Sequence, residues 1–220
     1  LHLGNSRRVN DFVYNRFRDT FFNRFTHIHC PSNMIANQLR QHGYTAQLHV
    51  ISNGISPEYT YGKREKEPWM QGFFNVLMVG RYAGEKRQDE LIDACAKSRH
   101  AREIQVILAG KGPLEKKYRR LAEKLPNPIV MEFYEPARLL EILHMADLYV
   151  HTSDAEIEAM SCMEAFACGL VPVIADSPRS ATPQFALDGR SLFPAGDTDA
   201  LAERIDWWIE HPEERREMER

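Results

Sequence analysis

The feature that most constrains the fold is an alternation of apolar runs and amphipathic segments that begins near residue 73. The amphipathic segments repeat apolar residues at helical spacing. Runs that are apolar almost throughout, each followed by a helix, are typical of a parallel sheet that helices cover on both faces. The sequence therefore predicts an α/β fold with a doubly wound parallel sheet. The predicted strands are 73–80, 104–110, 128–133, 147–151, 171–174 and 191–193.

The segments between these strands predict the helices of the domain. Pro113 stands where one helix begins, and Gly169 stands where another ends. The predicted helices are 86–97, 113–125, 136–145, 157–168 and one that Asp197 caps. Ligands of such sheets bind beyond the carboxyl ends of the strands. The loops of interest therefore follow Gly80, Gly110, Phe133, His151 and Ile174.

The first part of the chain predicts the end of a different domain. It contains two strand–helix steps, which cannot close a hydrophobic core alone. We interpret 1–58 as the C-terminal part of a second α/β domain, 59–72 as a charged linker and 73–220 as the main domain. The absence of an initiator Met adds the expectation that the chain is truncated. The predicted elements of the first part are helices 9–25 and 31–42 and strands 27–30 and 48–52.

Composition excludes several classes of protein. Eleven Phe, eight Tyr and three Trp among 43% hydrophobic residues argue against disorder. No run approaches the roughly 18–20 apolar residues of a membrane-spanning helix. Four cysteines without a CxxC pair argue against a disulfide scaffold and a zinc site, so we expect a reducing, cytoplasmic setting. The net charge is −3, but residues 1–50 hold six Arg against two Asp.

The first candidate site follows the first strand of the main domain. Arg81 and Lys86 lie on either side of the turn into the next helix. A diphosphate binds well where fixed positive charge lies beside the N–H groups of a helix N-terminus. Solvated turn charges are the other interpretation, and spacing alone leaves both open.

The second candidate is a pair of glycines after the next strand. Gly110 and Gly112 permit close approach of the backbone to a ligand. The dinucleotide fingerprint needs a third small residue where this chain has Glu115, and Pro113 interrupts it, so a nicotinamide cofactor is disfavoured. A ligand role and a plain tight turn both remain open.

The third candidate is a pair of carboxylates eight residues apart. Glu156 precedes a predicted helix, where it is either a ligand-binding acid or a cap that gains from the helix dipole. Glu164 stands in an apolar run that we expect to be buried, and a buried carboxylate needs a partner. Hydroxyls of a sugar or ribose and a structural ion pair are the two partners that we weigh.

Taken in order, five motifs resemble those of the family 4 retaining glycosyltransferases of the GT-B fold. Together they span nearly the whole chain, and five in the same order are specific where one alone is weak. The motifs are VISNG (50–54), MVGRYAGEK (78–86), ILAGKGPL (107–114), MADLYVHTS (145–153) and E-x7-E followed by AFACGLVPV (156–173).

The resemblance implies a fold, a donor and roles for the candidate residues. Two Rossmann-like domains would face each other, with 73–220 binding the nucleotide sugar and 1–58 ending the acceptor-side domain. No metal or other cofactor would be required, because fixed cations would stabilise the leaving diphosphate. The catalytic set would be Arg81 and Lys86 on the diphosphate and Glu156 on the hydroxyls of the transferred sugar. The donor-binding set would be Arg81, Lys86, Gly110, Gly112 and Glu164, the last on the ribose hydroxyls.

Two segments depart from the pattern of the family. Ile157-Glu158-Ala159 stand where Gly-Phe-Gly is common, which adds a negative charge. Residues 176–182 replace a glycine-rich loop. The first departure affects positions where the family usually makes backbone contacts to sugar and phosphate.

The segment 161–187 is most similar to bacterial diacylglycerol glucosyltransferases. That similarity implies UDP-glucose as donor, an acceptor sugar or lipid, and work at the inner face of the cell membrane. The basic, aromatic stretch 9–25 then predicts a peripheral membrane contact, with burial against a further domain as the alternative. We expect no nucleic-acid partner.

The predicted activity is transfer of a hexose, glucose, from a UDP-sugar to an acceptor hydroxyl. A UDP-sugar 2-epimerase of the same fold and a non-catalytic nucleotide-sugar-binding module are the alternatives. The E-x7-E spacing before AFACG favours transfer. Because acceptor-side residues would precede residue 1, we expect the chain alone to bind nucleotide without transferring sugar.

Overall fold

A computed structural model describes residues 7–186 and 188–219. Predictions for residues 1–6, Leu187 and Arg220 lie outside the described residues. Within the described ranges, the chain forms a two-stranded parallel sheet followed by a six-stranded parallel sheet. No described helix is long and apolar enough to cross a membrane.

The small sheet carries its core on one face. Ile28 and Cys30 point into a cluster with Tyr14, Ala36 and Leu39, whereas the alternate residues of the first strand are exposed. This arrangement matches the two predicted strand–helix steps. Its elements are α1 (Arg7–Thr20), β1 (His27–Cys30), α2 (Asn33–Gln41) and β2 (Gln47–Val50).

The large sheet follows the predicted alternation of strands and helices. Its strands are β3 (Phe74–Val79), β4 (Ile104–Ala109), β5 (Val130–Glu132), β6 (Leu148–His151), β7 (Pro172–Asp176) and β8 (Leu192–Pro194). Its helices are α3 (Gln88–Lys97), α4 (Glu115–Leu121), α5 (Pro136–Met145), α6 (Met160–Ala167), α7 (Thr198–Glu210) and α8 (Pro212–Met218). The sequence analysis did not predict α8 as a separate helix.

The strand order places a ligand crevice at the centre of the sheet. All strand pairs are parallel, in the order β5-β4-β3-β6-β7-β8. The order reverses between β3 and β6, and doubly wound sheets bind ligands outside the carboxyl ends of the strands at such a reversal. The loops after β3 and β6 therefore meet at one crevice.

Both faces of this sheet are covered, which is why its strands are apolar on both sides. Val76 and Met78 pack under the helices that contain Leu91 and Trp208. Leu77, between them, points to the opposite core. This confirms the predicted doubly wound α/β fold.

Among the helices that begin later than predicted, α3 and α6 are the two whose delays shape the crevice. Residues Gly84–Lys86 form a short 3-10 helix, and Arg87 is left-handed at φ 53° before α3 begins. Ala159 is left-handed at φ 61° before α6 begins. Glu156 therefore lies ahead of α6, in an isolated β-bridge with Ser180, so the cap interpretation of this residue is wrong.

Candidate functional site

A cavity of about 710 Å³ opens at the crevice between the loops that follow β3 and β6. Its walls come from the turn after β3, the segment after β6 and the loop after β7. Seven of the ten residues that line the cavity are charged. They are the cations Arg81, Lys86, Arg87 and Arg179 and the carboxylates Glu85, Asp154 and Glu156.

Lys86 and Glu156 meet directly in this cavity. The ammonium group of Lys86 contacts Glu156 Oε1, and both side chains are mostly buried, at 19% and 12% exposure. Seventy residues separate them in the chain. The structure thus brings together two residues that the sequence analysis placed in different motifs.

His151 lies behind this pair and was not predicted as a functional residue. Its ring is fully buried, with Nε2 3.1 Å from Glu156 Oε1 and Nδ1 3.4 Å from the Tyr149 hydroxyl. Burial lowers the pKa of His151, against an opposing effect of Glu156. A neutral ring bonded this way donates its Nε2 proton to Glu156. The available signal was a histidine ending an otherwise apolar strand at the ligand edge.

Glu156 is held as a carboxylate. Burial raises its pKa, but hydrogen bonding from His151 and the positive charge of Lys86 outweigh burial and bring the pKa to about 2. A carboxylate accepts hydrogen bonds and donates none. At neutral pH Glu156 therefore suits hydroxyl groups as partners.

Arg81 connects this cavity with a second one. Its guanidinium is 68% exposed and lies 3.3 Å from the Glu85 carboxylate. The second cavity, of about 350 Å³, lies beyond the ends of β3, β4 and β5, and Arg81 lines both. The second cavity is largely apolar, with Phe133, Tyr134 and Leu139 in its wall. Lys111 stacks its ammonium over the Phe133 ring at 4.0 Å.

The two candidate glycines have a packing role in this structure. A Cβ on Gly110 would collide with the carbonyl oxygen of Gly80. A Cβ on Gly112 would lie 2.6 Å from the carbonyl oxygen of Tyr82. Gly110 lines the second cavity. Among the described residues, Gly112 lies outside both cavities and packs on Tyr82.

Glu164 lies on the second turn of α6, half-buried and outside the wall of the large cavity. Burial raises its pKa. Within residues 7–186 and 188–219, no group forms an ion pair or hydrogen bond with its carboxylate. The structural ion pair that we weighed for this residue is therefore not formed among these residues.

Glu158 makes a contact that the sequence analysis missed. Its side chain is buried, and both carboxylate oxygens lie 3.1 Å from the backbone nitrogen of Asn53, which donates to them. The side-chain amide of Asn53 donates to the same carboxylate. The charge that departs from the family pattern thus joins the loop after β2 to the segment ahead of α6.

No cluster of three or more His, Cys, Asp or Glu side chains within the described part of the chain is arranged to hold a metal ion. The four described cysteines are buried and unpaired.

Comparison with known proteins identifies the class of protein to which this fold and this charged crevice belong. Residues 62–220 match the family described as "Glycosyl transferases group 1", and residues 2–59 match "Glycosyltransferase Family 4". The chain belongs to the group 1 glycosyltransferase family.

Individual relatives agree with this assignment. The catalytic domain of cholesterol-alpha-glucosyltransferase from Helicobacter pylori is 49% identical over 66% of this chain and 92% of that one, with a TM-score of 0.64. HepE of Anabaena, solved with UDP and glucose, is 22% identical over 97% of this chain and 61% of that one, with a TM-score of 0.79, which shows the GT-B fold.

A curated relative, the GDP-mannose-dependent alpha-mannosyltransferase of Corynebacterium glutamicum, is 31% identical over 70% of this chain and 36% of its own length. The chain spans half or less of the length of the curated relatives that it matches.

Proposed function

We propose that this chain carries the donor site of a retaining hexosyltransferase that moves glucose from UDP-glucose to an acceptor hydroxyl. The observation that carries the proposal is the contact of Lys86 with Glu156 over the buried His151, in the cavity where the strand order reverses. In this proposal 73–220 is the donor domain, 59–72 is the linker and 1–58 belongs to the acceptor side.

The charges of the cavity suit the departure of a diphosphate. As the bond between the sugar and the diphosphate breaks, negative charge grows on the phosphate oxygens. Lys86 and Arg81 lie where they stabilise that charge, and fixed cations lower such a barrier without having to reorganise. When phosphate oxygens replace Glu156 as the partner of Lys86, the Glu156 carboxylate becomes available to accept hydrogen bonds from the sugar hydroxyls.

The remaining donor contacts follow from the second cavity and from α6. A flat base fits the apolar wall at Phe133, next to Arg81 and Gly110. Glu164 is a half-buried carboxylate without a described partner, and vicinal ribose hydroxyls would supply two donors. We assign Glu164 to the ribose on that ground. Gly112 would act by shaping the loop.

The identity of the donor rests on relatives. The Helicobacter pylori relative is named an alpha-glucosyltransferase, and UDP-glucose has an α linkage, so an α product means retention. The Corynebacterium glutamicum relative is named for GDP-mannose, which makes GDP-mannose the competing donor. Neither donor needs a metal ion in the proposed mechanism.

We propose a lipid with a free hydroxyl, such as diacylglycerol, as acceptor, at the inner face of the cell membrane. The Helicobacter pylori relative is named for cholesterol, which is also a lipid alcohol. The stretch 9–25, which comprises most of α1 and the turn after it, exposes large apolar side chains together with Arg16 and Arg24, and such a surface suits anionic lipid. The exposed apolar residues are Val9, Phe12, Phe17, Phe21 and Phe25.

Calorimetric titration with UDP, UDP-glucose, GDP and GDP-mannose tests the donor site. We expect saturable binding of UDP and UDP-glucose, weakened at least tenfold in Glu164→Gln and Arg81→Ala. The matched controls are Glu203→Gln and Arg120→Ala, exposed residues outside both cavities. Binding confined to GDP-mannose would show that GDP-mannose, and not UDP-glucose, is the donor. No binding of any of these nucleotides would refute the proposed donor site.

A transfer assay tests the reaction. Because we expect the chain alone to bind nucleotide without transferring sugar, the assay uses a protein that joins this chain to a complete acceptor-side domain, with the chain alone as the control that should give no label. Each is incubated with labelled UDP-glucose and vesicles that contain either diacylglycerol or cholesterol, and the lipid fraction is analysed for an α-glucoside. Label in the diacylglycerol fraction supports the proposed acceptor. Free epimerised sugar without any acceptor would instead favour the epimerase alternative.

A further inference from the structure

We infer that Arg179 and Asp154 form a second cation–carboxylate pair of the donor site, with Arg179 binding the diphosphate and Asp154 binding hydroxyls of the sugar. The inference rests on the proposed function and deepens it, since it adds two residues to the same site. Neither residue belongs to the five motifs on which the family resemblance rests, and the resemblance gives neither a role in binding the donor.

Both residues face the large cavity. Arg179 and Asp154 line it together with Lys86 and Glu156. The Arg179 guanidinium contacts Asp154 Oδ2, and the two side chains are 34% and 24% exposed. The cavity thus contains two cation–carboxylate pairs of the same construction, one from the loops after β3 and β6 and one from the loops after β6 and β7.

The backbone of Arg179 is bonded to that of the proposed catalytic glutamate. The Glu156 N–H donates to the Arg179 carbonyl at 3.3 Å, and the Ala181 N–H donates to the Glu156 carbonyl at 3.0 Å. Ser177 donates its hydroxyl to the Asp154 carbonyl at 2.7 Å. These bonds hold Arg179 and Asp154 at a set position relative to Glu156, which is what a contact to the same substrate requires.

The sequence of this loop favours recognition of phosphate through a side chain. Residues 176–182 stand where the family pattern has a glycine-rich loop. Pro178 has no N–H to donate, so the segment presents fewer backbone donors than a run of glycines would. An arginine supplies a planar fork of donors that matches phosphate oxygens in pairs.

Ligand binding would exchange the partners within both pairs. The oxygens of a diphosphate compete with the carboxylates for Lys86 and Arg179. Each displaced carboxylate then lacks a hydrogen-bond donor, which a sugar hydroxyl can supply. Asp154 would accept a hydrogen bond from one hydroxyl of the sugar, and Glu156 from another.

Titration of Arg179 variants with UDP and UDP-glucose tests the first half of the inference. Loss of a charge-assisted bond predicts Kd values about ten- to a hundredfold weaker for both ligands in Arg179→Ala. Arg179→Lys keeps the charge without the fork, so we expect a smaller loss. The matched control is Arg216→Ala, since Arg216 is paired with Glu213 at 2.7 Å on α8, away from the cavity. Kd values of both Arg179 variants within twofold of wild type would overturn this half.

Asp154→Asn tests the second half. Removing this carboxylate leaves the phosphate contacts intact and removes a competitor for Arg179, so UDP should bind as tightly as in wild type or more tightly. The ratio of the UDP Kd to the UDP-glucose Kd should fall about tenfold, because only the sugar loses a contact. An unchanged ratio, or equal weakening of both ligands, contradicts the assignment of Asp154.

Two further readings separate this inference from the proposed function and from misfolding. Wild type that binds neither UDP nor UDP-glucose refutes the proposed function and this inference with it. Wild-type binding together with variants that bind like wild type refutes the inference alone. Thermal unfolding midpoints are measured for each variant, and an Arg179→Ala midpoint close to that of wild type assigns its loss of binding to the missing contact. If Arg179→Ala does not fold, the Kd values of Arg179→Lys test the contact instead.

Discussion

At the scale of single residues, two glycines that line the cavities differ in whether the surrounding structure leaves room for a side chain. Gly110 lines a cavity, yet its missing side chain also leaves room for the carbonyl of Gly80 on the neighbouring loop. Gly84 lines the large cavity but has open space where a Cβ would be. These two glycines, each of which lines a cavity, therefore differ in what an added methyl group would meet.

Gly110→Ala should destabilise the protein in the absence of any ligand. The added methyl group forces apart two backbone segments, and such overpacking costs about 1–3 kcal/mol. Gly84→Ala is the matched control and should stay within about 0.5 kcal/mol of wild type. Urea unfolding of the ligand-free variants measures both. Equal stability of the two variants would show that the loops can part without cost.

The buried His151 predicts how stability changes with pH. Its folded pKa lies below the unfolded value of 6.5, so the unfolded chain binds more protons as pH falls below that value, and stability decreases. Glu156 acts in the same direction further down, between its ordinary pKa of 4.5 and its folded pKa of about 2. His100 has the opposite sign, because hydrogen bonds to Glu103 and Glu210 raise its pKa and stabilise the folded state at low pH.

We therefore expect two histidine variants to change the pH profile in opposite ways. Between about pH 7.5 and 5.5, the unfolding midpoint of His151→Gln should fall less with decreasing pH than that of wild type. The midpoint of His100→Gln should fall more, because this variant lacks the histidine whose protonation stabilises the folded state as pH falls. Thermal unfolding at a series of pH values measures this. Parallel profiles for all three proteins would show that neither histidine titrates as the structure implies.

At the scale of elements, the late start of α6 decides what the loop ahead of it can do. Had the helix begun at residue 157 as predicted, Glu158 would have been a residue of its first turn. Instead Glu158 points to the loop after β2 and binds Asn53. The left-handed Ala159 makes the turn into the helix, at a position where the family pattern has glycine.

A double-mutant cycle between Asn53→Ala and Glu158→Gln should reveal this contact. We expect a coupling free energy of about 1–2 kcal/mol, because the bond between the Asn53 amide and a buried carboxylate is charge-assisted. The backbone bond from Asn53 survives in the cycle and is not counted. The exposed pair of Arg64 and Glu141 is the control and should couple by less than about 1 kcal/mol. Coupling near zero for Asn53 and Glu158 would show that the two segments are held by other contacts.

At the scale of the whole molecule, the sheet collects cations at one edge while the net charge of the chain is −3. Arg81, Lys86, Arg87 and Arg179 meet because their loops share the carboxyl edge of the large sheet. Three carboxylates line the same cavity, so its formal charge is +1 where that of the chain is −3, and we expect this excess of positive charge to favour an anionic ligand.

Binding of UDP should accordingly depend on salt and not on a metal ion. Raising ionic strength should weaken UDP binding, because screening reduces the attraction of exposed cations such as Arg81. Addition of a chelator should leave the Kd within about twofold of its starting value. Calorimetry with and without chelator and added Mg²⁺ measures this. A loss of binding that Mg²⁺ restores would contradict cation-only recognition.

The elements themselves could be predicted from the sequence. Apolar runs such as that of β4 and the helical spacing of α5 depend on neighbours along the chain, so local pattern is enough to place them. The exact starts of α3 and α6 could not be placed, because the left-handed residues Arg87 and Ala159 are types that rarely adopt this conformation. Their conformation is imposed by the loops around them.

The sequence by itself determined the α/β class, the order of the elements, the loops that would end at the ligand edge, and the residue types in those loops. Tertiary structure alone decided which loops meet. The contact of Lys86 with Glu156 spans 70 residues and exists because β3 and β6 are neighbours in the sheet. The contact of Asn53 with Glu158 spans 105 residues and exists because the loop after β2 packs against the segment ahead of α6. Local pattern depends on adjacent residues, whereas these two contacts depend on which strands and loops the folded chain brings side by side.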